Sequence, residues 1–245
     1  MDLVYDFRRE TDSPPGAAAE QAERLLACFQ AGLGHELPNR LVALQGTARM
    51  LEALAGDRLD GETRQLLGNL ASLARRTDEL ARALAAVGRL RRELKAGGTA
   101  VPDEVVAEAA AETNLLSPGR PVEYHLGGAL PVLPVPRGVL HQVLLQLLRN
   151  AVQAAVAGRP PRVRLSAERV AGGVEFRVAD NGRGLDDSQA ERLGEPFRSA
   201  GPDRQGLGLF LVRQLVAEWG GVLRLHSEPG RGTTVSVLVP VRPGG

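Results

Sequence analysis

The sequence contains few of the residues on which disulfide-rich or nucleic-acid-binding proteins depend. Its 245 residues include one cysteine, Cys28, so a disulfide within the chain is excluded and we expect a reducing compartment. Aromatic residues make up only 3%, which argues against a stacking platform for single-stranded nucleic acid. The formal net charge of +1 provides no general attraction for nucleic acid or an anionic membrane.

Long apolar segments are also missing. Residues 1–13 are charged and lack the apolar core of a signal peptide, and no run of about 18 apolar residues follows. The four histidines show no metal-ligand spacing. The overall composition, with 43% hydrophobic and 24% charged residues, is ordinary for a globular protein. We therefore expect a soluble, cytoplasmic protein without a membrane span.

The N-terminal part of the sequence has the pattern of two amphipathic helices. Apolar residues recur every three or four positions from 26 to 51 and again from 66 to 87, with a glycine-containing loop at 56–61. This pattern predicts an antiparallel helical hairpin. Because one hairpin has a thin core, we expect a homodimer in which two hairpins form a four-helix bundle. The alternative is that the hairpin packs on the rest of its own chain.

The remaining sequence alternates helices with mostly antiparallel strands. Helical periodicity predicts three helices, at 102–116, 139–157 and 207–219. Alternating apolar residues predict a strand at 122–126 and two hairpins, formed by 162–170 with 174–179 and by 222–226 with 233–239. This order favours an α/β two-layer sandwich over a doubly wound parallel sheet.

The change of pattern near Gly97 and Gly98 gives the domain boundaries. We predict an α+β chain with an N-terminal tail at 1–15, a helical hairpin at 16–97 and the sandwich domain at 98–245. The tail carries apolar residues between positions 3 and 7, so it is a candidate for docking on a partner.

One candidate binding motif, Asp180-Asn181-Gly182-Arg183-Gly184, follows a predicted strand directly. Glycines allow a flat ligand to come close to the backbone, and a carboxylate at the strand end can accept a hydrogen bond from an exocyclic amine. The alternative is a simple turn, since Asn-Gly is common in turns.

A second candidate motif, Gly206-Leu207-Gly208, begins the last predicted helix. Free N–H groups at a helix N-terminus suit phosphate, and the polar stretch at 198–205 is a candidate lid. The alternative is an ordinary junction between a loop and a helix.

A third motif lies on the predicted helix at 139–157. Gln146, Asn150 and Gln153 share a face of that helix, and carboxamide oxygens can coordinate Mg²⁺ and its phosphate partners. The alternative is a solvated polar face.

The order of these motifs, completed by Glu195-Pro196-Phe197 and by Gly232-Thr233, resembles the catalytic domain of bacterial two-component sensor histidine kinases. Their ATP site is shared with gyrase, Hsp90 and MutL, in the Bergerat or GHKL fold. The resemblance covers roughly 101–239, and the stretch at 144–155 looks most like the nitrogen-regulator type. It implies ATP and Mg²⁺ as cofactors.

The resemblance also implies a role for each matching residue. Asn150 matches the Mg²⁺-coordinating asparagine, and Gln146 stands where the family often has a second asparagine. The adenine side of the family's site is matched by Asp180, Gly182, Gly184, Gly232 and Thr233. Phe197 matches the aromatic residue before the lid, and Gly206 and Gly208 match the glycines on the phosphate side.

The phosphoacceptor segment of such kinases is matched on the first predicted helix. His35 lies two residues from Leu37 and so points away from the apolar stripe, and the adjacent Glu36 can act as general base. Asn39 matches the residue that orients water when these kinases dephosphorylate their partner. The family's proline is displaced to Pro38, which predicts a kink beside His35.

These observations predict a histidine protein kinase that phosphorylates His35 from Mg-ATP. The phosphoryl group would pass to an aspartate on the receiver domain of a separate response regulator. The input would come either from a separate sensor protein or from another part of a longer chain. Two alternatives stay open. Pro38 and Gln146 motivate a nucleotide-binding scaffold or phosphatase without kinase activity, and the ATP motifs alone also suit a gyrase- or Hsp90-like clamp.

Overall fold

The structure is a computed structural model. It describes residues 2–6, 42–44, 46–47, 50–51, 53, 60–119, 121–186 and 207–241, with the backbone alone at 75–76, 79–80, 82–84 and 207. The chain divides into two compact units, one formed by residues 15–89 and the other by residues 1–14 and 90–245. Along the described residues no helix is long and apolar enough to cross a bilayer.

Helix α1 (Gly61–Ala96) provides most of what is described of the first unit. It starts beside Asp60, whose Oδ1 accepts a hydrogen bond from the Thr63 N–H at 2.7 Å. The Thr63 side chain and backbone hold the pKa of Asp60 below its usual value. The helix ends where Gly97 takes a positive φ of 78°. Its presence confirms the second of the two predicted helices.

The structure describes only part of the predicted helical hairpin. Residues 42–44, 46–47, 50–51 and 53 are helical, as the sequence predicts, but most of the first predicted helix lies outside the described residues. Leu66, Leu70 and Leu73 of α1 are exposed, with 62%, 41% and 64% of their surface accessible in the single chain. The four-helix bundle and the homodimer stay predictions.

The second unit is a six-stranded sheet with a layer of helices. Its helices are α2 (Pro102–Leu116), α3 (Arg137–Gln153) and α4 (Leu207–Glu218). Its strands are β1 (Asp2–Asp6), β2 (Val122–Gly127), β3 (Val163–Val170), β4 (Gly173–Asp180), β5 (Val222–Glu228) and β6 (Gly232–Pro240). The last two turns of α1 belong to this unit, where Arg91 forms an ion pair with Glu218 of α4.

The sheet is mixed, in the order β1-β5-β6-β4-β3-β2. β2 runs parallel to β3, and every other neighbouring pair is antiparallel. Both predicted hairpins are confirmed, as is the two-layer sandwich. Alternate residues of the central strands point into the helix layer, so Phe176, Leu165 and Leu223 are almost completely buried. On α3, Leu140, Leu144 and Leu148 are equally buried.

The N-terminal segment is a strand in the structure rather than the predicted tail. Asp2–Asp6 forms β1, the edge strand antiparallel to β5. The Tyr5 ring lies beneath the Arg213 guanidinium of α4, 4.5 Å from its carbon to the ring centroid, and Asp2 pairs with His226. Of the apolar residues assigned to a docking tail, Leu3 and Tyr5 therefore lie on the helix-covered face of the sheet, Val4 lies on the other face, and Phe7 is outside the described residues.

Replacing Tyr5 with alanine tests this packing. We expect Tyr5→Ala to lower the free energy of unfolding by about 1–2 kcal/mol, because it removes half-buried apolar surface and the cation–π contact. Val4 points to the other face and is 58% exposed, so Val4→Ala is the matched control and should change stability far less. Equal effects of the two substitutions in urea unfolding would show that β1 does not pack as described.

Candidate functional site

Three polar side chains form a row across one end of the sheet. Thr233 on β6 is directly opposite Asp180 on β4, and on its other side directly opposite Ser227 on β5. Directly opposed residues share a face, and here that face is the one covered by the helices. Asp180 and Thr233 are half-buried, whereas Ser227 is only 1% exposed. The structure therefore brings the predicted Asp180 and Thr233 together.

The loop after β4 is held against neighbouring backbone by its two predicted glycines. Asp180 Oδ1 accepts a hydrogen bond from the Gly182 N–H at 2.8 Å. A Cβ on Gly182 would collide with the carbonyl of Ala154, and one on Gly184, where φ is +66°, would collide with the carbonyl of Glu228. The sequence predicted that these glycines let a ligand approach the backbone, but in the structure the backbone of the protein itself lies there.

The turn between β5 and β6 packs against the same loop. Gly232 has a φ of +122°, and a Cβ there would collide with the Asp180 carbonyl. The Gly230 N–H donates to the Arg183 carbonyl at 2.6 Å. The close fit of this turn therefore fixes the spacing between Asp180 and Thr233.

Two further residues hold the loop after β4 in place through hydrogen bonds, and no role was predicted for either of them from the sequence. The Asn181 side chain accepts from the Arg162 N–H at 2.8 Å and donates to the Pro160 carbonyl at 2.9 Å. Arg159 Nη1 donates to the carbonyls of Asn181 and Gly230, at 2.8 and 2.9 Å. These residues come from separate parts of the sequence, and no motif spacing connects them.

The polar face of α3 lies against the start of α4. A Cβ added to Gly208 would be 2.9 Å from Gln146 Oε1 and 3.4 Å from Asn150 Oδ1. Both carboxamides are half-buried, so this is not the solvated face that was the alternative reading of the sequence. Gln153, the third residue predicted on this face, is exposed. The first turn of α4 is thus brought to the two carboxamides.

Helix α3 connects this cluster with the row on the sheet. Ala154, which caps the C-terminus of α3, is one turn beyond Asn150 and accepts a hydrogen bond from the Arg183 N–H at 3.0 Å. Asn150 and Gln146 are therefore held on the helix whose end contacts the loop that carries Asp180 and Gly182. Carboxamide oxygens are hard ligands and fit Mg²⁺.

Five predicted site residues lie outside the described residues. They are His35, Glu36, Asn39, Phe197 and Gly206. Their roles stay predictions.

Residues 137–243 match the family model described as histidine kinase-, DNA gyrase B-, and HSP90-like ATPase. The chain is 29% identical to the C4-dicarboxylate transport sensor protein DctB of Rhizobium meliloti (strain 1021), over 96% of this chain and 38% of that protein. It is 27% identical to the sensor histidine kinase ZraS of Escherichia coli (strain K12), over 91% and 47%. The chain thus spans less than half the length of these relatives.

Two solved structures are also similar to this chain. The crystal structure of full-length ShkA in complex with AMPPNP superposes with a TM-score of 0.58 at 28% identity, covering 89% of this chain and 46% of ShkA. The mycobacterial sensor histidine kinase MprB shares the fold over 60% of this chain and 99% of its own, with a TM-score of 0.52 and 23% identity. The predicted resemblance to the two-component sensor histidine kinases is confirmed: residues 137–243 match the histidine kinase-, DNA gyrase B- and HSP90-like ATPase family, and most of the chain is similar to sensor histidine kinases.

Proposed function

We propose that the protein is an ATP-dependent histidine kinase that phosphorylates His35 and passes the phosphoryl group to a separate response regulator. The observation that carries this proposal is the arrangement around α3. One helix holds Gln146 and Asn150 against Gly208, and its C-terminus contacts the loop of Asp180. The groups suited to binding phosphate, a divalent cation and a nucleotide base are thereby all held by contacts with α3.

The adenine end of the site would be formed by the row on the sheet. An ionised Asp180 only accepts hydrogen bonds, so it suits the exocyclic amine of adenine. Thr233 lies beside it, and both positions are fixed by the glycine contacts of their loops. A base entering here would lie between the helix layer and the sheet, where low polarity strengthens these hydrogen bonds.

The phosphate end of the site would be formed by α3 and α4. The first turn of α4 offers backbone N–H groups, and Gly208, which has no Cβ, lets this turn lie close to the carboxamides. Asn150 would hold Mg²⁺, with Gln146 beside it. When bound, Mg²⁺ neutralises charge on the phosphate oxygens. The chain's own contribution is to place the triphosphate along α3.

The transfer step would then use the helical hairpin. The His35 imidazole nitrogen attacks the γ-phosphorus, a nitrogen–phosphorus bond forms, and the bond to the ADP oxygen breaks. Glu36 takes the proton that the imidazole loses. The phosphoryl group next moves to an aspartate of a receiver domain in trans. The exposed leucines of α1 support a homodimer of hairpins, and we place the protein in the cytoplasm, where ATP is available.

A scaffold without kinase activity is the second candidate, motivated by Pro38 and Gln146. The position of Gln146 favours the kinase, because its carboxamide oxygen lies beside Gly208 together with that of Asn150. The longer side chain therefore still reaches the site.

Phosphorylation of His35 is tested by incubation with Mg-ATP labelled at the γ-phosphate. We expect acid-labile, alkali-stable label on the wild type and none on His35→Gln, which should still bind ATP. His125 is exposed on β2, so His125→Gln is the matched control and should be labelled normally. ATP binding by a wild type that gains no label would favour the scaffold.

Substitution of Asn150 tests the cation site. We expect Asn150→Ala to lower the initial rate of His35 labelling about 100-fold or more, since it removes a group that places charge on the phosphates. Gln153→Ala, on the exposed part of the same helix, should leave the rate unchanged. The measurement is the labelling rate as a function of Mg²⁺ concentration; equal rates for both variants would contradict the assignment.

Asn39 is tested through dephosphorylation of the response regulator. We expect Asn39→Ala to slow release of phosphate from the phosphorylated receiver domain roughly 10- to 100-fold, because the attacking water loses its orientation. Labelling of His35 in the same variant serves as the control and should persist. An unchanged dephosphorylation rate would show that Asn39 has no such role.

A further inference from the structure

Arg159 joins three segments of the candidate site, although the residue itself is exposed. It lies in the turn after α3, where its backbone N–H donates to the Val156 carbonyl at 3.3 Å. Its Nη1 donates to the Asn181 carbonyl at 2.8 Å and to the Gly230 carbonyl at 2.9 Å. One nitrogen of one side chain therefore connects the loop after β4 with the β5–β6 turn, and ties both to the end of α3.

The donor and the acceptor in each of these two hydrogen bonds are fixed by their chemistry. A guanidinium only donates, a backbone carbonyl only accepts, and Nη1 carries two hydrogens, one for each carbonyl. Both acceptors are neutral, so Arg159 forms charge-assisted hydrogen bonds here rather than an ion pair. These bonds therefore hold the backbone of the two segments in place.

The Asn181 carbonyl belongs to the peptide group that orients Asp180. The N–H of the same peptide group is that of Gly182, and it donates to Asp180 Oδ1 at 2.8 Å. This peptide group is trans, so its C=O and its N–H point to opposite sides. By holding the carbonyl, Arg159 holds the N–H towards the Asp180 carboxylate, and the two hydrogen bonds strengthen each other through the peptide group.

The orientation of this peptide group has to be fixed from outside because a glycine follows it. Packing requires a glycine at position 182, since a Cβ there would collide with the Ala154 carbonyl. Glycine accepts both signs of φ, so the peptide group between Asn181 and Gly182 can turn over at little steric cost. Its N–H would then point away from Asp180. The bond from Arg159 favours the orientation that the Asp180 carboxylate needs.

The backbone that carries Arg159 is held in place by its own neighbours. Pro160 and Pro161 follow it directly, and a proline restricts both its own φ and the residue before it. The Pro160 carbonyl accepts from Asn181 Nδ2 at 2.9 Å, and the Arg162 N–H donates to Asn181 Oδ1 at 2.8 Å. Mainly the Arg159 side chain has to be ordered to form its two bonds, which keeps the entropic cost low.

We propose that Arg159 is a positioning residue that orients the Asp180 carboxylate through the Asn181–Gly182 peptide group, and thereby favours nucleotides whose base carries an exocyclic amine. This inference rests on the proposed function, in which Asp180 accepts a hydrogen bond from the amine of adenine. The second bond, to Gly230, anchors the guanidinium to the β5–β6 turn. Arg159 thus acts on the base of the nucleotide and not on its phosphates.

The test compares ATP with inosine triphosphate, a purine nucleotide that has a carbonyl where adenine has its amine. Dissociation constants for ATP, ADP and inosine triphosphate are measured by calorimetry for the wild type and Arg159→Met. We expect Arg159→Met to weaken binding of ATP and ADP by the same factor, about 3- to 10-fold, the size of one hydrogen bond. Binding of inosine triphosphate should change far less. The maximal rate of His35 labelling at saturating ATP should stay at the wild-type value, so that the ATP concentration for half-maximal rate alone rises.

Three further variants separate this role from a general loss of structure. Arg159→Lys keeps a cation with three hydrogens to donate and should recover most of the affinity for ATP. Arg164 is exposed on β3 and pairs with Glu123 at 3.8 Å, so Arg164→Met makes the same change of charge and should keep wild-type binding. Arg159→Gln, with its shorter side chain, replaces Arg159→Met in the comparison if that variant does not fold.

The results discriminate between the two proposals. An equal loss for ATP and inosine triphosphate overturns the role of Arg159, because the residue would then hold the site in general. A larger loss for ATP than for ADP also overturns it, since the charge would then act on the phosphates. So does a lower melting temperature with unchanged dissociation constants. In each case a wild type that labels His35 leaves the kinase proposal standing. A wild type that binds none of the nucleotides overturns both.

Discussion

The candidate site depends on the close approach of three backbone segments at one end of the sheet. The loop after β4, the end of α3 and the β5–β6 turn meet there through Gly182, Gly184 and Gly232, each of which has backbone where a Cβ would stand. A side chain at any of these positions would push two segments apart. This close approach therefore sets the distance between Asp180 and Thr233. It also lets the loop after β4 contact the end of α3.

Helix α3 is the second part of the same arrangement. One face carries leucines that are buried against the sheet, and this fixes how the helix is rotated. The rotation brings Gln146 and Asn150 to the start of α4 instead of into solvent. A polar cluster on a rigid helix is held more precisely than one on a loop, which suits phosphoryl transfer, where most of the catalytic effect comes from positioning and charge.

Much of the fold was predictable because it depends on local pattern. The helix at 102–116 was predicted with both of its ends, since Pro102 opens it and the apolar periodicity stops at Leu116. The two hairpins were predicted because their strands are adjacent in sequence and joined by short glycine-containing turns. β1 was missed for the converse reason. Five alternating residues are stable as a strand only at the edge of β5, more than 200 positions away in sequence.

The sequence by itself determined which residue types the site has and in what order they occur, because these motifs are short and each lies within one element. Asp180, Gly182, Gly184, Asn150, Gly208 and Thr233 were all predicted as candidate site residues in this way. Only the tertiary structure decided what holds them in place. Arg159 bonds Gly230 across 71 positions, and Ser227 bonds Leu185 across 42. Side-chain hydrogen bonds between distant segments leave no periodicity in the sequence, since they exist only after the segments have packed.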